Sequence, residues 1–289
     1  MGCEHLELQI KSDGLNTLET RVKTHRPVHL GREVCWRQTG DGPPLVLLHG
    51  GHGSWLHWVR NVEALATRFT VWAPDMPGYG DSDTPPLPDG ASLVEMTLAT
   101  LNQLVGDKTP ICIVGFSFGA LVAAHLTAQR QAVVGLALLG AAGHGGQRRP
   151  TGKLRAWRGA VDSGDARALA ELMRHNLGVH MLHDPAHIDD VAVGLHTRAC
   201  LQTRFHSKTI SRSNGLMDLL DQCNTPLLLV WGEHDVTAQP EVVARSLSEN
   251  RPNCVTHVIP DAGHWAQYEQ AEVVNRLLID WLDTVRPAR

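Results

Sequence analysis

The sequence predicts an α/β protein with a mostly parallel central sheet, helices on both faces of the sheet, and a helical cap insertion. Three observations lead to this prediction. Six short apolar runs alternate with helical or long connecting segments along the 289 residues, a pattern typical of parallel sheets buried between helices. A glycine-flanked serine follows one of these runs and precedes a helix-like segment. Residues 144–224 are polar, lack β-branched runs and show helical spacing of their apolar residues.

These patterns divide the chain into three parts. Residues 1–28 form a polar lead-in, residues 29–143 and 225–289 form the α/β core, and residues 144–224 form the helical cap. A cap inserted between two core strands would exclude water and shape the pocket beneath it. The alternative interpretation of the insertion is an embellishment of the surface.

Strands are expected where apolar residues follow one another without interruption. The apolar runs are 44–48, 69–72, 111–114, 133–139, 226–231 and 255–259, and a further strand is expected at 31–38. The spacing of Val94, Leu98, Leu101 and Val105 predicts a helix over 91–106.

The most informative segment is Gly115-Phe116-Ser117-Phe118-Gly119, which has the G-x-S-x-G pattern. A strand that reverses sharply into a helix forces its turn residue into a strained backbone geometry, and glycines on both sides remove the resulting clashes. The hydroxyl of Ser117 is then exposed at the tip of the turn, so Ser117 is the predicted nucleophile. A glycine-rich turn with an idle serine is the alternative, and the flanking strand and helix argue against it.

A serine hydroxyl needs a base to take its proton and an acid to orient that base. In this kind of fold they follow the serine in the order acid, then histidine. Asp235 and His264 each lie just past the end of an apolar strand, so both should share the sheet edge with Ser117. Glu233 is the competing carboxylate but comes earlier in the same loop. The strand end at 140–142 has no carboxylate and offers no other location for the acid.

A tetrahedral oxyanion needs two N–H donors. One is expected from Phe118, which follows the nucleophile, and the other from Gly51 in the glycine-rich loop after an early strand. Gly50, His52 and Trp265 lie beside these catalytic positions and are predicted to contact the substrate. A phosphate-binding loop is the rival interpretation, but the glycine spacing matches neither nucleotide-binding pattern.

Taken together, five segments of the chain resemble the α/β-hydrolase superfamily. They are His49-Gly50-Gly51, Asp75-Met76-Pro77-Gly78-Tyr79-Gly80-Asp81-Ser82, the serine turn, Gly232 to Asp235, and Gly263-His264. The resemblance spans about residues 30–285 and implies the α/β-hydrolase fold and a serine hydrolase. Within the superfamily, residues 263–269 resemble the tail motif of the meta-cleavage product hydrolases. Those enzymes split carbon–carbon bonds in vinylogous 1,5-diketones formed during aromatic degradation.

The chain departs from that subfamily at three places. Phe116 stands where the subfamily usually has a small polar residue, often Asn. The oxyanion loop, residues 49–54, reads His-Gly-Gly-His-Gly-Ser, where the subfamily usually has His-Gly-Gly-Gly-Pro-Gly. The subfamily's cap usually supplies an arginine that holds the substrate carboxylate, and Arg198 and Arg204 are the candidates for this substrate-binding role.

These features favour a C–C hydrolase that acts on a diketone from aromatic catabolism. A carboxylesterase or other acyl hydrolase is the second interpretation, and a noncatalytic ligand-binding protein on the same fold is the third. Dehalogenase and epoxide-hydrolase chemistry is disfavoured because those relatives have an Asp at the position of Ser117.

Composition limits the partners of the protein. The 26 basic and 30 acidic residues give a net charge of −4, which argues against nucleic acids and anionic membranes. No apolar run is long enough to span a membrane, and residues 1–15 contain no run of signal-peptide length. The six cysteines show no pairing pattern, so we expect a reducing, cytoplasmic location. A small-molecule substrate is expected, and the sequence is compatible with a homo-oligomer.

No cofactor and no metal are expected. The spacing of His180, His183 and His187 could place three imidazoles on one helical face as zinc ligands. Pro185 interrupts that helix, and no H-E-x-x-H or paired-cysteine motif accompanies it.

Overall fold

The computed structural model describes residues 18–285, so the first part of the predicted lead-in, residues 1–17, lies outside the described residues. The strands are β1 Lys23–His25, β2 Val28–His29, β3 Arg32–Glu33, β4 Trp36–Thr39, β5 Pro44–Leu48, β6 Thr70–Pro74, β7 Ile111–Phe116, β8 Val133–Leu139, β9 Leu227–Gly232 and β10 Cys254–Ile259. The main sheet has the order β1-β4-β6-β5-β7-β8-β9-β10. All pairs from β6 to β10 are parallel, whereas β1 and β4 are antiparallel to their neighbours. The predicted mostly parallel sheet is therefore confirmed.

Both faces of this sheet are covered, which explains the continuous apolar runs in the sequence. In β5, Leu45 and Leu47 pack into one hydrophobic cluster, while Val46 and Leu48 pack into a second cluster on the opposite face. Successive side chains of a strand point to opposite faces, so a strand between two helical layers must be apolar at every position.

Helices fill the connections between the strands. The α-helices outside the insertion are Val62–Ala66, Gly90–Val105, Phe118–Gln129, Pro240–Ser248, Ala266–Glu269 and Ala271–Val285. Those between β8 and β9 are Arg158–Asp162, Ala166–His180, Asp190–Leu201, Lys208–Ser211 and Leu216–Asp221. Short 3₁₀ helices are formed by Trp55–Trp58 and Pro185–His187. Among residues 18–285, none of the helices is both long and apolar enough to cross a bilayer.

The N-terminal part of the sheet differs from the prediction. The expected strand over 31–38 is two strands, β3 and β4, because the N–H of Val34 is bonded to the carbonyl of Pro27 and that of Cys35 to the hydroxyl of Ser82. β1 lies inside the predicted lead-in and pairs with β4 at the edge of the sheet. The division of the chain into lead-in, core and cap stays a prediction.

Candidate active site

Ser117 lies at the turn between β7 and the helix Phe118–Gln129, with φ 52° and ψ −116°. The positive φ is a strained conformation for a residue with a side chain. A Cβ on Gly115 would lie 2.5 Å from a backbone carbon of the following helix, and one on Gly119 would lie 2.3 Å from a carbonyl oxygen of the loop after β5. Glycine at both positions therefore permits the sharp turn that exposes the serine.

Ser117, His264 and Asp235 lie in one chain of hydrogen bonds. The Ser117 Oγ is 2.9 Å from His264 Nε2, and His264 Nδ1 is 2.8 Å from Asp235 Oδ2. Because the carboxylate accepts a hydrogen bond, we assign the imidazole proton to Nδ1. Nε2 is then left with a lone pair that accepts the serine proton.

The carboxylate of Asp235 is fixed on its other side by Thr237. The backbone N–H and the hydroxyl of Thr237 each donate to Asp235 Oδ1 at 2.7 Å. Burial would raise the pKa of Asp235, but the adjacent His264 and the hydrogen bonds from His264 and Thr237 outweigh it and lower the pKa below its ordinary value. Sequence analysis missed Thr237, although its position two residues after an Asp is the spacing of an Asx turn.

Glu233 makes different contacts. Its carboxylate accepts the N–H of Asp261 at 3.2 Å and lies 3.7 Å from His234. The side chain of Glu233 is half exposed, whereas Asp235 is fully buried. The structure thus brings Asp235, and not Glu233, to the imidazole of His264.

The oxyanion loop is held by two neutral imidazoles. His49 Nδ1–H donates to the Gly50 carbonyl at 2.8 Å, and its Nε2 accepts the N–H of Met76 at 2.9 Å. Burial lowers the pKa of His49 to about 4. His57 Nδ1 accepts the Gly50 N–H at 3.2 Å. Among the described residues the N–H of Gly51 donates to no backbone carbonyl or side chain. Phe118 begins its helix, where N–H groups lack intrahelical partners, so both predicted oxyanion donors are available.

We expect Gly51→Ala to lower kcat by up to about 10²-fold, the loss typical of removing one oxyanion donor. A Cβ at this position would lie 2.5 Å from the Ser207 Oγ, so either the Ser207 hydroxyl must rotate or the loop carrying the Gly51 N–H must move, and we expect the loop to move. Adding Ser207→Gly should restore part of the lost activity because it vacates that space. Wild-type kinetics in the Gly51→Ala variant would contradict the expected displacement of the Gly51 N–H.

Ser117 opens into a cavity of about 410 Å³ between the sheet edge and residues 144–224. The apolar side chains that line it include those of Phe116, Leu154, Trp157 and Met181. Besides His264, four further imidazoles line the cavity, and they belong to His52, His144, His180 and His196. Burial, reinforced by His264, lowers the pKa of His180 to about 3. Burial also lowers the pKa of His196 to about 4, so both rings are neutral near pH 7.

Three cationic side chains also line the cavity: Arg148, Lys208 and Arg212. Within residues 18–285, none of them forms an ion pair, and no Asp or Glu side chain lines the cavity with them. Arg148 is partly buried, and burial together with the positive charge of Arg212 lowers its pKa. The lining of the cavity therefore carries positive charge, on the partly buried Arg148 and on the exposed Lys208 and Arg212.

The prediction that Arg198 or Arg204 binds the substrate needs correction, because neither lines the cavity. Arg198 pairs with Glu19 at 2.8 Å. Its helix turns His196 and Cys200 toward the cavity, and a residue midway between two such positions faces away. Arg204 donates to backbone carbonyls of the segment 80–82.

Of the other predicted substrate contacts, His52 lines the cavity, but Gly50 and Trp265 do not. Gly50 lies behind the nucleophile, where an added Cβ would be 3.1 Å from the Cβ of Ser117. Trp265 is fully buried, and its indole N–H donates to the carbonyl of His57 at 2.9 Å. Trp265 therefore contacts the loop through His57, whose ring accepts the N–H of Gly50.

The three histidines considered as zinc ligands point in different directions. His180 lies against the ring of His264, with centroids 5.7 Å apart. His183 stacks on His234 at 3.5 Å, and His187 faces Glu269 at 3.6 Å. The spacing in sequence therefore does not create a shared ligand set, because Pro185 starts a separate turn.

Comparison with known proteins identifies the family of the chain. A model of the alpha/beta hydrolase family matches residues 45–277, which is most of the chain. The chain belongs to the alpha/beta hydrolase family. Several of its relatives are named as hydrolases, and this protein is a hydrolase.

Relatives of this alpha/beta hydrolase include enzymes with a dienedioate and a trienedioate in their names. A 2-hydroxy-6-oxononadienedioate/2-hydroxy-6-oxononatrienedioate hydrolase of Cupriavidus pinatubonensis is 27% identical over 84% of this chain and 88% of its own length. A second hydrolase of that name, from Pseudomonas putida, is 28% identical over 91% and 96%. The dihydrolipoyllysine-residue acetyltransferase component of a Pseudomonas putida acetoin cleaving system is 30% identical over 87% and 67%.

Solved structures share the fold. A meta-cleavage product hydrolase from Pseudomonas fluorescens IP01 has a TM-score of 0.71 and 23% identity, with 92% of this chain and 100% of that chain covered. An esterase from Rhodococcus sp. ECU1013 has a TM-score of 0.72 and 22% identity, with the same coverage. At this level of identity the two neighbours demonstrate the α/β-hydrolase fold alone.

Proposed function

We propose that this protein is a cofactor-free serine hydrolase in which Ser117 is the nucleophile, His264 the general base and Asp235 the acid that orients it. The observation that carries the proposal is the continuous hydrogen-bonded chain from Ser117 Oγ through His264 to the buried Asp235 carboxylate, with distances of 2.9 and 2.8 Å. Nucleophile, base and orienting group within such reach are the arrangement that activates a serine hydroxyl.

The chemistry follows from that arrangement. His264 Nε2 takes the Ser117 proton while Oγ forms a bond to the carbonyl carbon of the substrate. The negative charge that develops on the carbonyl oxygen is stabilised by the N–H groups of Gly51 and Phe118. Collapse of this intermediate breaks the scissile bond, and the imidazolium protonates the leaving group. Water, deprotonated by His264, then attacks the acyl group on Ser117 and releases the acid and the free serine.

For the substrate we propose a diketone that carries a carboxylate, whose carbon–carbon bond is hydrolysed. In this case the leaving group is an enolate carbon, and it receives the proton from His264. Two features support this class over a neutral ester. The cavity is lined by three cations that form no ion pair with any of the described residues, namely Arg148, Lys208 and Arg212. The relatives with dioate substrates in their names align with more than four fifths of the chain.

An acyl hydrolase acting on small esters is the second candidate. The observation that favours it is the apolar share of the cavity lining, which includes Phe116, Leu154 and Trp157. Such a lining accommodates an aliphatic or aromatic acyl group without any need for charge. Turnover of 2-hydroxy-6-oxononadienedioate, measured beside a panel of p-nitrophenyl esters, decides between the two. Faster turnover of every ester would overturn the C–C hydrolase proposal.

The cationic side chains that line the cavity allow a sharper test of the substrate class. We expect Arg148→Ala and Arg212→Ala each to lower kcat/KM for the dioate by roughly 10-fold or more, because a charge-assisted contact to a carboxylate contributes about 1.5–3 kcal/mol. Turnover of a neutral p-nitrophenyl ester should change little. Arg198→Ala is the matched control, since it removes the same charge from a residue outside the cavity. Equal losses on both substrates, or an equal loss in the control, would contradict a carboxylate site at these residues.

A further inference from the structure

Glu269 is a buried carboxylate that takes no part in the proposed reaction. It ends the short helix Ala266–Glu269, which begins two residues after His264. Its side chain has 0% exposure, and among the described residues no Lys or Arg pairs with it. Burial of such a group is costly unless hydrogen-bond donors surround it. The hydrogen-bond donors around Glu269 therefore indicate which segments its carboxylate holds together.

Those donors come from two separate segments. On the side of the candidate base, the N–H of Gly263 donates to Oε2 at 2.7 Å. On the side of the helical insertion, the N–H of Asp184 donates to Oε1 at 2.6 Å, and that of His183 lies 2.9 and 3.1 Å from the two oxygens. His187 adds an imidazole nitrogen 3.6 Å from Oε1. The carboxylate thus clamps the backbone before His264 to the insertion.

Other contacts also join the backbone around His264 to the helical insertion. The N–H of Trp265 donates to the carbonyl of Met181 at 2.7 Å. A Cβ on Gly263 would lie 2.8 Å from the backbone nitrogen of His183, so the two segments touch backbone to backbone. The ring of His183 stacks on His234, which directly precedes Asp235. The segment 181–184 is therefore packed against both the loop that carries His264 and the loop that carries Asp235.

We propose that Glu269 is a positioning residue, which fixes the His264 loop and the helical insertion in one mutual arrangement. This inference rests on the proposed role of His264 as the base. Release of the Gly263 N–H would free the backbone next to His264, and a displacement of about 1 Å of a catalytic group can cost roughly 10²-fold in rate. Glu269 acts through the position of His264 and does not touch the substrate.

The test compares Glu269→Gln with Tyr268→Phe. An amide presents an NH₂ group where the carboxylate accepts N–H groups, so Gln cannot keep every bond of Glu269. Tyr268 is the matched control because it lies on the same helix and also reaches the insertion, through its hydroxyl to Asp189 at 2.8 Å. The readouts are kcat and KM on a p-nitrophenyl ester, and the rate at which a small fluorophosphonate labels Ser117.

We expect Glu269→Gln to lower kcat and the labelling rate together by about 10²-fold, with KM nearly unchanged. The Tyr268→Phe variant should keep kcat and the labelling rate near the wild-type values. A purely structural role would lower the thermal midpoint without slowing the labelling of protein that is still folded. Labelling of Glu269→Gln at the wild-type rate would overturn the inference.

Amide hydrogen exchange of the wild-type protein provides a second measurement, which does not depend on a variant that folds. The amides of Gly263, His183 and Asp184 should exchange slowly and through one common opening event. Widely different exchange rates for the three would show that the clamp does not exist. A wild-type protein that fluorophosphonate does not label would instead contradict the proposed function, while the exchange rates would still decide whether the clamp is present.

Discussion

Replacement of Ser117 by alanine is expected to lower kcat by about 10⁶-fold, the loss that removal of the nucleophile causes in other triads. The substitution removes only Oγ, whose hydrogen bond is to His264 Nε2 at 2.9 Å. The Cβ remains, so the turn between β7 and the following helix keeps its backbone geometry. Steady-state kinetics with either proposed substrate class measures the loss, and circular dichroism with a thermal scan checks that the protein is folded.

Ser211→Ala is the matched control for this variant. Ser211 also lines the cavity, but it has no contact with His264 among the described hydrogen bonds. Removal of its hydroxyl should leave kcat within about 10-fold of wild type, the upper range for one neutral hydrogen bond. If Ser117→Ala and Ser211→Ala lost activity equally, Ser117 would not be the nucleophile.

Replacement of Asp235 by asparagine is expected to lower kcat by roughly 10⁴-fold, by analogy with other triads. The two donors from Thr237 to Oδ1, each at 2.7 Å, would hold the amide oxygen of the variant at the Oδ1 position. The NH₂ group would then face His264 Nδ1 and donate to it. His264 would carry its proton on Nε2, where it cannot accept the proton of Ser117.

Glu233→Gln separates this effect from a general change of charge in the loop. Glu233 is half exposed and bonds the N–H of Asp261, which an amide oxygen also accepts. We expect kcat of this variant to remain close to the wild-type value, with measurements at the same pH as for Asp235→Asn. A larger loss in Glu233→Gln than in Asp235→Asn would mean that Glu233 is the acid.

Much of the site follows from local sequence rules. The turn around Ser117 requires glycine on both sides, and this requirement is visible in five consecutive residues. Asp235 and His264 follow strands, and parallel strands that run through a sheet bring their carboxyl ends to one edge. The proximity of Ser117, Asp235 and His264 can therefore be predicted without knowing the order of the strands in the sheet.

The cavity walls could not be predicted in the same way. Residues 144–224 form helices joined by irregular segments, and the direction of each helix depends on packing that no short motif specifies. Arg198 has the right chemistry for a carboxylate, but its helix turns that residue toward Glu19. Arg148 lies in an irregular segment, whose side-chain directions follow no period. Trp265 packs away from the cavity and against His57, because proximity in sequence to His264 does not determine which side of the loop an indole packs against.

The identity of the nucleophile can be read from one chemical experiment. A fluorophosphonate reacts with an activated serine, and mass spectrometry of the digested protein locates the adduct. We expect a single adduct on Ser117 in the wild-type protein, no adduct in Ser117→Ala, and much slower labelling in Asp235→Asn. An adduct on any other residue, or labelling of Ser117→Ala at the wild-type rate, would contradict the proposed Ser117–His264–Asp235 mechanism.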